Sequence, residues 1–106
     1  MDQRINLVTL GVADVQASAA FFERLGWKRS SQSQDEVAFF DAGGMVFGLF
    51  GRDSLAADAG VSPDGNGFRA FSLALNFGSK EAVDAALKEA ESAGAKIVKP
   101  AEEVFW

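Results

Sequence analysis

Cysteine, histidine and tyrosine are absent from these 106 residues, and proline occurs only twice. Without cysteine there can be neither a disulfide frame nor a thiolate metal site. Without histidine the chain lacks both the commonest metal ligand and the commonest general base. Any chemistry must therefore use carboxylates, lysine, arginine, hydroxyls, amides or the backbone. Positive charge is scarce too: ten Lys and Arg against fifteen Asp and Glu give a formal net charge of −5. Such a surface repels phosphate backbones, and no basic cluster stands out, which speaks against nucleic acid as a partner. No apolar run approaches the ~18 residues that cross a bilayer, so no membrane partner is expected. The opening Met1-Asp2-Gln3-Arg4 lacks the apolar core of a secretory leader. A cytoplasmic location is the expectation.

What is present is the balance of a folded domain, 48% hydrophobic and 24% charged, in a chain long enough for one core and with little room for a second. Residues 5–12 are aliphatic and β-branched and read as a strand. Asp14 is a natural N-cap, and Val15, Ser18, Ala19, Phe22 and Leu25 recur at helical spacing up to a stop at Gly26. Residues 27–32 return as a second strand. Residues 36–42 and 45–51 form two apolar runs around Gly43-Gly44, the pattern of a hairpin. Both runs hold consecutive apolar residues rather than alternating ones, so both faces of these strands are covered. Residues 53–67 read as a linker. Beyond it, residues 70–77 form a strand, and Ser79 caps a helix with a stripe of Val83, Leu87 and Ala90. Gly94 stops that helix, and residues 95–98 form another strand.

The two halves repeat. Residues 7–12 match 72–77, Asp14 matches Ser79, and residues 23–28 match 91–96, cap to cap and glycine stop to glycine stop. One supersecondary unit is thus used twice, each half burying what the other exposes. The first unit runs on to a hairpin ending near Arg52. Its counterpart would fall near position ~120, so the second lacks a closing hairpin of roughly 15–20 residues. Either a second copy of the chain covers the gap or the chain is a fragment.

The passage Leu10-Gly11-Val12-Ala13-Asp14-Val15, followed by Ser18-Ala19-Ala20-Phe21-Phe22-Glu23-Arg24-Leu25-Gly26-Trp27, resembles the opening of the glyoxalase/bleomycin-resistance/dioxygenase (vicinal oxygen chelate) superfamily. Phe22 stands where many relatives have tyrosine. The resemblance implies an α+β fold of paired βαβββ modules in one glyoxalase-like domain over residues 1–106. Module one would span 1–52, the linker 53–67, and an incomplete βαβ second module 68–106. The family includes glyoxalase I, extradiol dioxygenases, epimerases, fosfomycin-modifying enzymes and metal-free drug-sequestering proteins. In its metal-using members, one divalent cation is held by side chains on the first and last strands of each module. Carried over, those positions fall on Leu7 and Ser72 for the first strands and on Gly48 for the last strand of module one. The fourth lies beyond Trp106. Leucine and glycine offer no lone pair and serine is a weak ligand, so no metal and no cofactor is expected.

A cavity between the modules is the expected site. If Leu7 points into it, alternation sends Thr9 and Gly11 there too, while Val8, Leu10 and Val12 face the helix. Ser72, Ala74 and Asn76 line it from module two. Val46, Gly48 and Phe50 join them, with one of Phe39 and Phe40. The ligand-binding set then reads Leu7, Thr9, Phe39, Gly48, Phe50, Ser72 and Asn76, with no catalytic residue identified. Arg52 and Arg69 flank the linker, where either would suit a ligand carboxylate. Gly43-Gly44 is a turn rather than a phosphate loop, since no helix start or lysine follows. Three functions compete: a metal-free protein binding a small organic ligand, as a homodimer; a divalent-metal lyase, isomerase or dioxygenase; and a structural module whose open edge exists to pair.

Overall fold

The computed structural model describes residues 1–65 and 67–103. Asn66, inside the expected linker, and residues 104–106, at the end of the expected second module, lie outside the described residues. The chain divides into two compact units, Met1–Gly65 and Asn66–Trp106.

The first unit holds β1 (Leu7–Val12), α1 (Val15–Arg24), β2 (Val37–Asp41), β3 (Val46–Gly51) and α2 (Arg52–Ala59). The strands form one sheet in the order β1-β3-β2. β1 runs parallel to β3, with Thr9 opposite Gly48, and β2 runs antiparallel to it, with Phe39 opposite Gly48. Asp14 caps α1 as its sequence suggests: its carboxylate accepts from the Ala17 amide at 3.0 Å. Gly26 leaves the helix at φ 89°, a conformation that costs glycine nothing. Gly43 and Gly44 both take positive φ in the hairpin turn.

The core lies between α1 and one face of this sheet. Val15, Ala19, Ala38, Phe40, Phe47 and Leu49 are buried, and Leu10, Val12, Phe22, Trp27 and Ala42 pack against them. Alanine at 19 and 38, both fully buried, keeps the two surfaces close. The volume is filled by rings: Phe22 meets Phe47 edge-on at 5.0 Å and Trp27 at 5.0 Å, and Phe40 lies 5.9 Å from Phe22. Such pairs add about 0.5–1.5 kcal/mol each beyond their area.

Four expectations need correction. Residues 27–32 are not a strand; they meet β2 through one isolated bridge, Arg29 with Phe40, and the Ser30 amide's bond to the Phe39 carbonyl at 2.7 Å, and a second bridge just beyond them joins Gln34 to Val37. The serines explain this, because their hydroxyls compete for the backbone. Ser33 Oγ accepts from the Phe39 amide at 2.9 Å, and Ser30 Oγ accepts from the Gln32 amide at 3.1 Å. The segment is tied to α1 instead by Arg29, which donates to Gln16 at 2.7 Å and to Glu23 at 2.8 Å. The expected linker begins with a helix, α2, whose Leu55-Ala56-Ala57 run favours helix and which ends at Gly60 with φ 74°. Residues 70–77 and 95–98 are the third and fourth corrections, since neither forms a strand among the described residues. A ladder needs a partner strand, and Ala70 opens the first segment at φ 62°, outside the extended region.

The second unit therefore rests on α3 (Lys80–Ala93). Ser79 Oγ accepts from the Ala82 amide at 3.1 Å, and Gly94 closes the helix at φ 116°. Lys80 meets Glu103 at 2.7 Å, and Lys99 meets Glu102 at the same distance. Val83, expected in the core stripe, is exposed, as are Phe71, Leu73, Leu75 and Phe77. No helix among the described residues is long and apolar enough to cross a membrane.

Two substitutions test this packing. Phe40→Ala is expected to cost about 3–5 kcal/mol, and Phe39→Ala, on the opposite and half-exposed face, less than half as much, measured by urea unfolding. A Cβ on Gly11 would lie 3.2 Å from the Arg52 Cα and 3.3 Å from the Leu55 side chain. Helix backbone cannot yield as a side chain tip can, so Gly11→Ala is expected to destabilise the chain by about 1–3 kcal/mol in the same assay.

Candidate functional site

Because successive strand residues point to opposite faces, the register of the three strands fixes what lies on the face turned away from α1. Leu7, Val46 and Asp41 form one row across the sheet. Thr9, Gly48 and Phe39 form the next, and Gly11, Phe50 and Val37 the third. Five of the seven residues expected to bind a ligand, Leu7, Thr9, Phe39, Gly48 and Phe50, thus share one face. Of the two phenylalanines left open by the sequence, Phe39 is on this face; Phe40 belongs to the core. Ser72 and Asn76 belong to the second unit, where both are exposed in a stretch that carries no strand.

The middle of the nine positions is a glycine, as is the corner at Gly11. A Cβ on Gly48 would lie 3.3 Å from Thr9 Oγ1 and 3.5 Å from both Leu7 Cδ1 and Phe39 Cδ1. Three neighbours thus close over this backbone, and Gly48 is buried. Leu55 and Arg52 of α2 approach the Gly11 corner, yet Gly11 is exposed, as are Leu7 and Asp41 at the opposite end. The face is open at both ends and covered over its middle glycine. Thr9 supplies its one hydroxyl and Asp41 its one charge. Sequence reasoning missed both Asp41 and the approach of α2. Strict alternation from Phe39 would have found the first.

Arg52 is not available to a ligand in the way its position suggests. Its Nε donates to the Pro63 carbonyl at 2.8 Å and its Nη2 to the Gly65 carbonyl at 2.6 Å. In the second unit an open groove of about 420 Å3 runs beside α3, past Leu87, Ile97 and Pro100. Its polar lining is Asp84, Lys88 and Glu91, the solvated side of a helix.

Two of the three positions that the resemblance assigns to a metal, Leu7 and Gly48, adjoin one another here, since Leu7 Cδ1 approaches the Gly48 Cβ position; Ser72 belongs to the second unit. A methyl group and a hydrogen cannot replace the water shell of a divalent cation. Among the described residues no three His, Cys, Asp or Glu side chains gather anywhere. The residues present on this face do not fit a chelated metal.

The chain matches the family model described as the Glyoxalase/Bleomycin resistance protein/Dioxygenase superfamily over residues 4–106. Among solved structures it is similar to a glyoxalase-related enzyme from Fulvimarina pelagi, at 28% identity and a TM-score of 0.73, covering 87% of this chain and 66% of that one. It thus spans just under two thirds of that protein's length. A glyoxalase/bleomycin resistance protein/dioxygenase from Nocardioides aligns over 100% of this chain and 72% of its own, at 21% identity and a TM-score of 0.77. A lactoylglutathione lyase from Agrobacterium tumefaciens aligns over 93% and 76%, at 20% identity and a TM-score of 0.67. The last two likenesses show the fold alone. No curated protein matches the chain. With the first unit's strand–helix–hairpin order and the family match over nearly its whole length, this chain belongs to the Glyoxalase/Bleomycin resistance protein/Dioxygenase superfamily.

Proposed function

We propose that this protein binds a small organic molecule, without a divalent metal, on the sheet face built from Leu7, Thr9, Phe39, Gly48 and Phe50. The observation that carries this reading is that the face turned away from α1 leaves Thr9, Phe39 and Phe50 only partly buried and Leu7 exposed. Aromatic and aliphatic surface beside one hydroxyl is the mixed apolar lining with a few polar groups that suits a ligand.

A lyase, isomerase or dioxygenase working through a chelated cation would need donors where the chain has Leu7 and Gly48. The Agrobacterium neighbour, a lactoylglutathione lyase, gives that alternative its specific support. We favour binding. Association into a homodimer is part of the same reading: Phe71, Leu73, Leu75 and Phe77 are four exposed apolar side chains within seven residues, whose cover by a second copy would be favourable.

Screening planar organic compounds by thermal unfolding is the direct test. A ligand at a hundred times its Kd is expected to add about 2.7 kcal/mol to the unfolding free energy, and the gain should survive a chelator. A stoichiometric transition metal in the purified protein, or a ligand effect erased by chelation, would refute the reading. Light scattering is expected to give a mass of two chains; a strictly monomeric, folded protein would remove the homodimer.

A further inference from the structure

α2 (Arg52–Ala59) has little of its own to hold it. Its eight residues make about two turns, too few for a helix to persist alone in water. Gly51 at its N-cap makes no side-chain hydrogen bond to the free amides of the first turn, and Ala56 is its one buried residue. Leu55 and the Arg52 Cα do approach Gly11. The stronger tie is the Arg52 side chain. It starts on the first turn and reaches the chain beyond the Gly60 stop, where Nε donates to the Pro63 carbonyl at 2.8 Å and Nη2 to the Gly65 carbonyl at 2.6 Å. Both bonds come from one rigid, charged fork, and an ionised donor makes the stronger kind of hydrogen bond. Two further bonds along this stretch are short-range: the Val61 amide donates to the Ala56 carbonyl at 3.0 Å, and the Asp64 amide to Ser62 Oγ at 3.2 Å. Neither spans the segment as Arg52 does.

We infer that Arg52 is a strap. Its guanidinium makes α2 and residues 60–65 one cooperative unit held beside β1. That unit opens as a whole when the guanidinium lets go, while the sheet and α1 stay folded. The core permits this, because none of the residues that form or flank it comes from 52–65. Opening therefore removes no side chain from beneath α1, and a segment with so few buried contacts sits at the low end of local stability. Gly65 stands 13 residues beyond Arg52 and is the last residue of the first unit. Without the two bonds, that length of chain regains the conformational freedom the strap removes. Opening also withdraws Leu55 and Arg52 from Gly11, and so reshapes that end of the sheet while the core stays intact. The inference needs no ligand and stands apart from the binding reading above.

Amide hydrogen exchange of the full chain at neutral pH tests this residue by residue. Arg52→Gln is expected to speed exchange of the Ala56, Ala57 and Val61 amides about 10-fold, while the Leu49 amide in the central strand stays within about twofold of the parent. Arg52→Lys is expected to fall near Arg52→Gln, since a point charge does not hold two carbonyls as a planar fork does. Arg4→Gln removes an exposed arginine whose contact with Asp2 is 3.8 Å long, and is expected to change none of these amides. The parent alone gives a second measurement. Across urea concentrations below the unfolding transition, Ala56, Ala57 and Val61 are expected to exchange through one shared opening, at lower urea than Leu49. The strap is refuted if Arg52→Gln leaves the α2 amides as slow as in the parent, or speeds Leu49 equally. It is refuted as well if Arg52→Lys matches the parent, or if the three parent amides open only together with Leu49.

Discussion

The parallel pairing of β1 with β3 holds the first unit in its arrangement. β3 is the central strand, with one edge taken by β1 and the other by β2, so its backbone is satisfied on both sides. One set of its side chains, Phe47 and Leu49, is buried against α1. The other set, Val46, Gly48 and Phe50, lies on the opposite face. A slip of one residue between these strands would exchange the sets. It would leave a glycine facing α1 where a ring now fills the core, and would place Phe47 or Leu49 at the centre of the opposite face. The cost of that exchange, several buried apolar side chains at about 1.5–3 kcal/mol each, fixes the register. The same energy that builds the core therefore places Gly48 between Thr9 and Phe39.

Much of this was legible in the sequence. Asp14 and Gly26 bracket α1, Ser79 and Gly94 bracket α3, and Gly43-Gly44 marks the hairpin. Alternation sorted Leu10 and Val12 toward the helix, away from Leu7 and Thr9. Local chemistry decides each of these features, and local chemistry is what a sequence displays. Residues 70–77 show where such reading stops. Their period of two states which side chains would share a face, but not whether a neighbouring strand exists to accept their hydrogen bonds. Residues 27–32 fail for a related reason: Ser33 offers Phe39 a hydroxyl where a ladder would offer a carbonyl. α2 was hidden by Asp53, Ser54 and Asp58, which read as loop residues. Its signal was the Leu55-Ala56-Ala57 run with Gly60 beyond it. The candidate site was half legible. The set on β1, β2 and β3 came from alternation, whereas Asp41 and the approach of Leu55 to Gly11 depend on register and on a helix not foreseen.

Membership of a superfamily with metal-using branches makes the composition of this face informative. A scaffold can be kept by its core while its site changes, because the two sets of side chains point in opposite directions from the same strands. In this chain the core set is aromatic and tightly packed. The opposite set carries few groups that could donate a lone pair to a cation: methyls at Leu7, nothing at Gly48, the hydroxyl of Thr9 and the carboxylate of Asp41.

Removing donors from a polar site does not leave it inert, because the physics of recognition shifts from coordination to shape. A divalent ion demands several charged oxygens or imidazoles at fixed distances. A ring system demands only apolar surface close enough for dispersion contact, and this face carries the partly buried Phe39 and Phe50. Specificity at such a surface has to come from the few polar groups on it. On this face those are the hydroxyl of Thr9 and the carboxylate of Asp41, one row apart on the two outer strands.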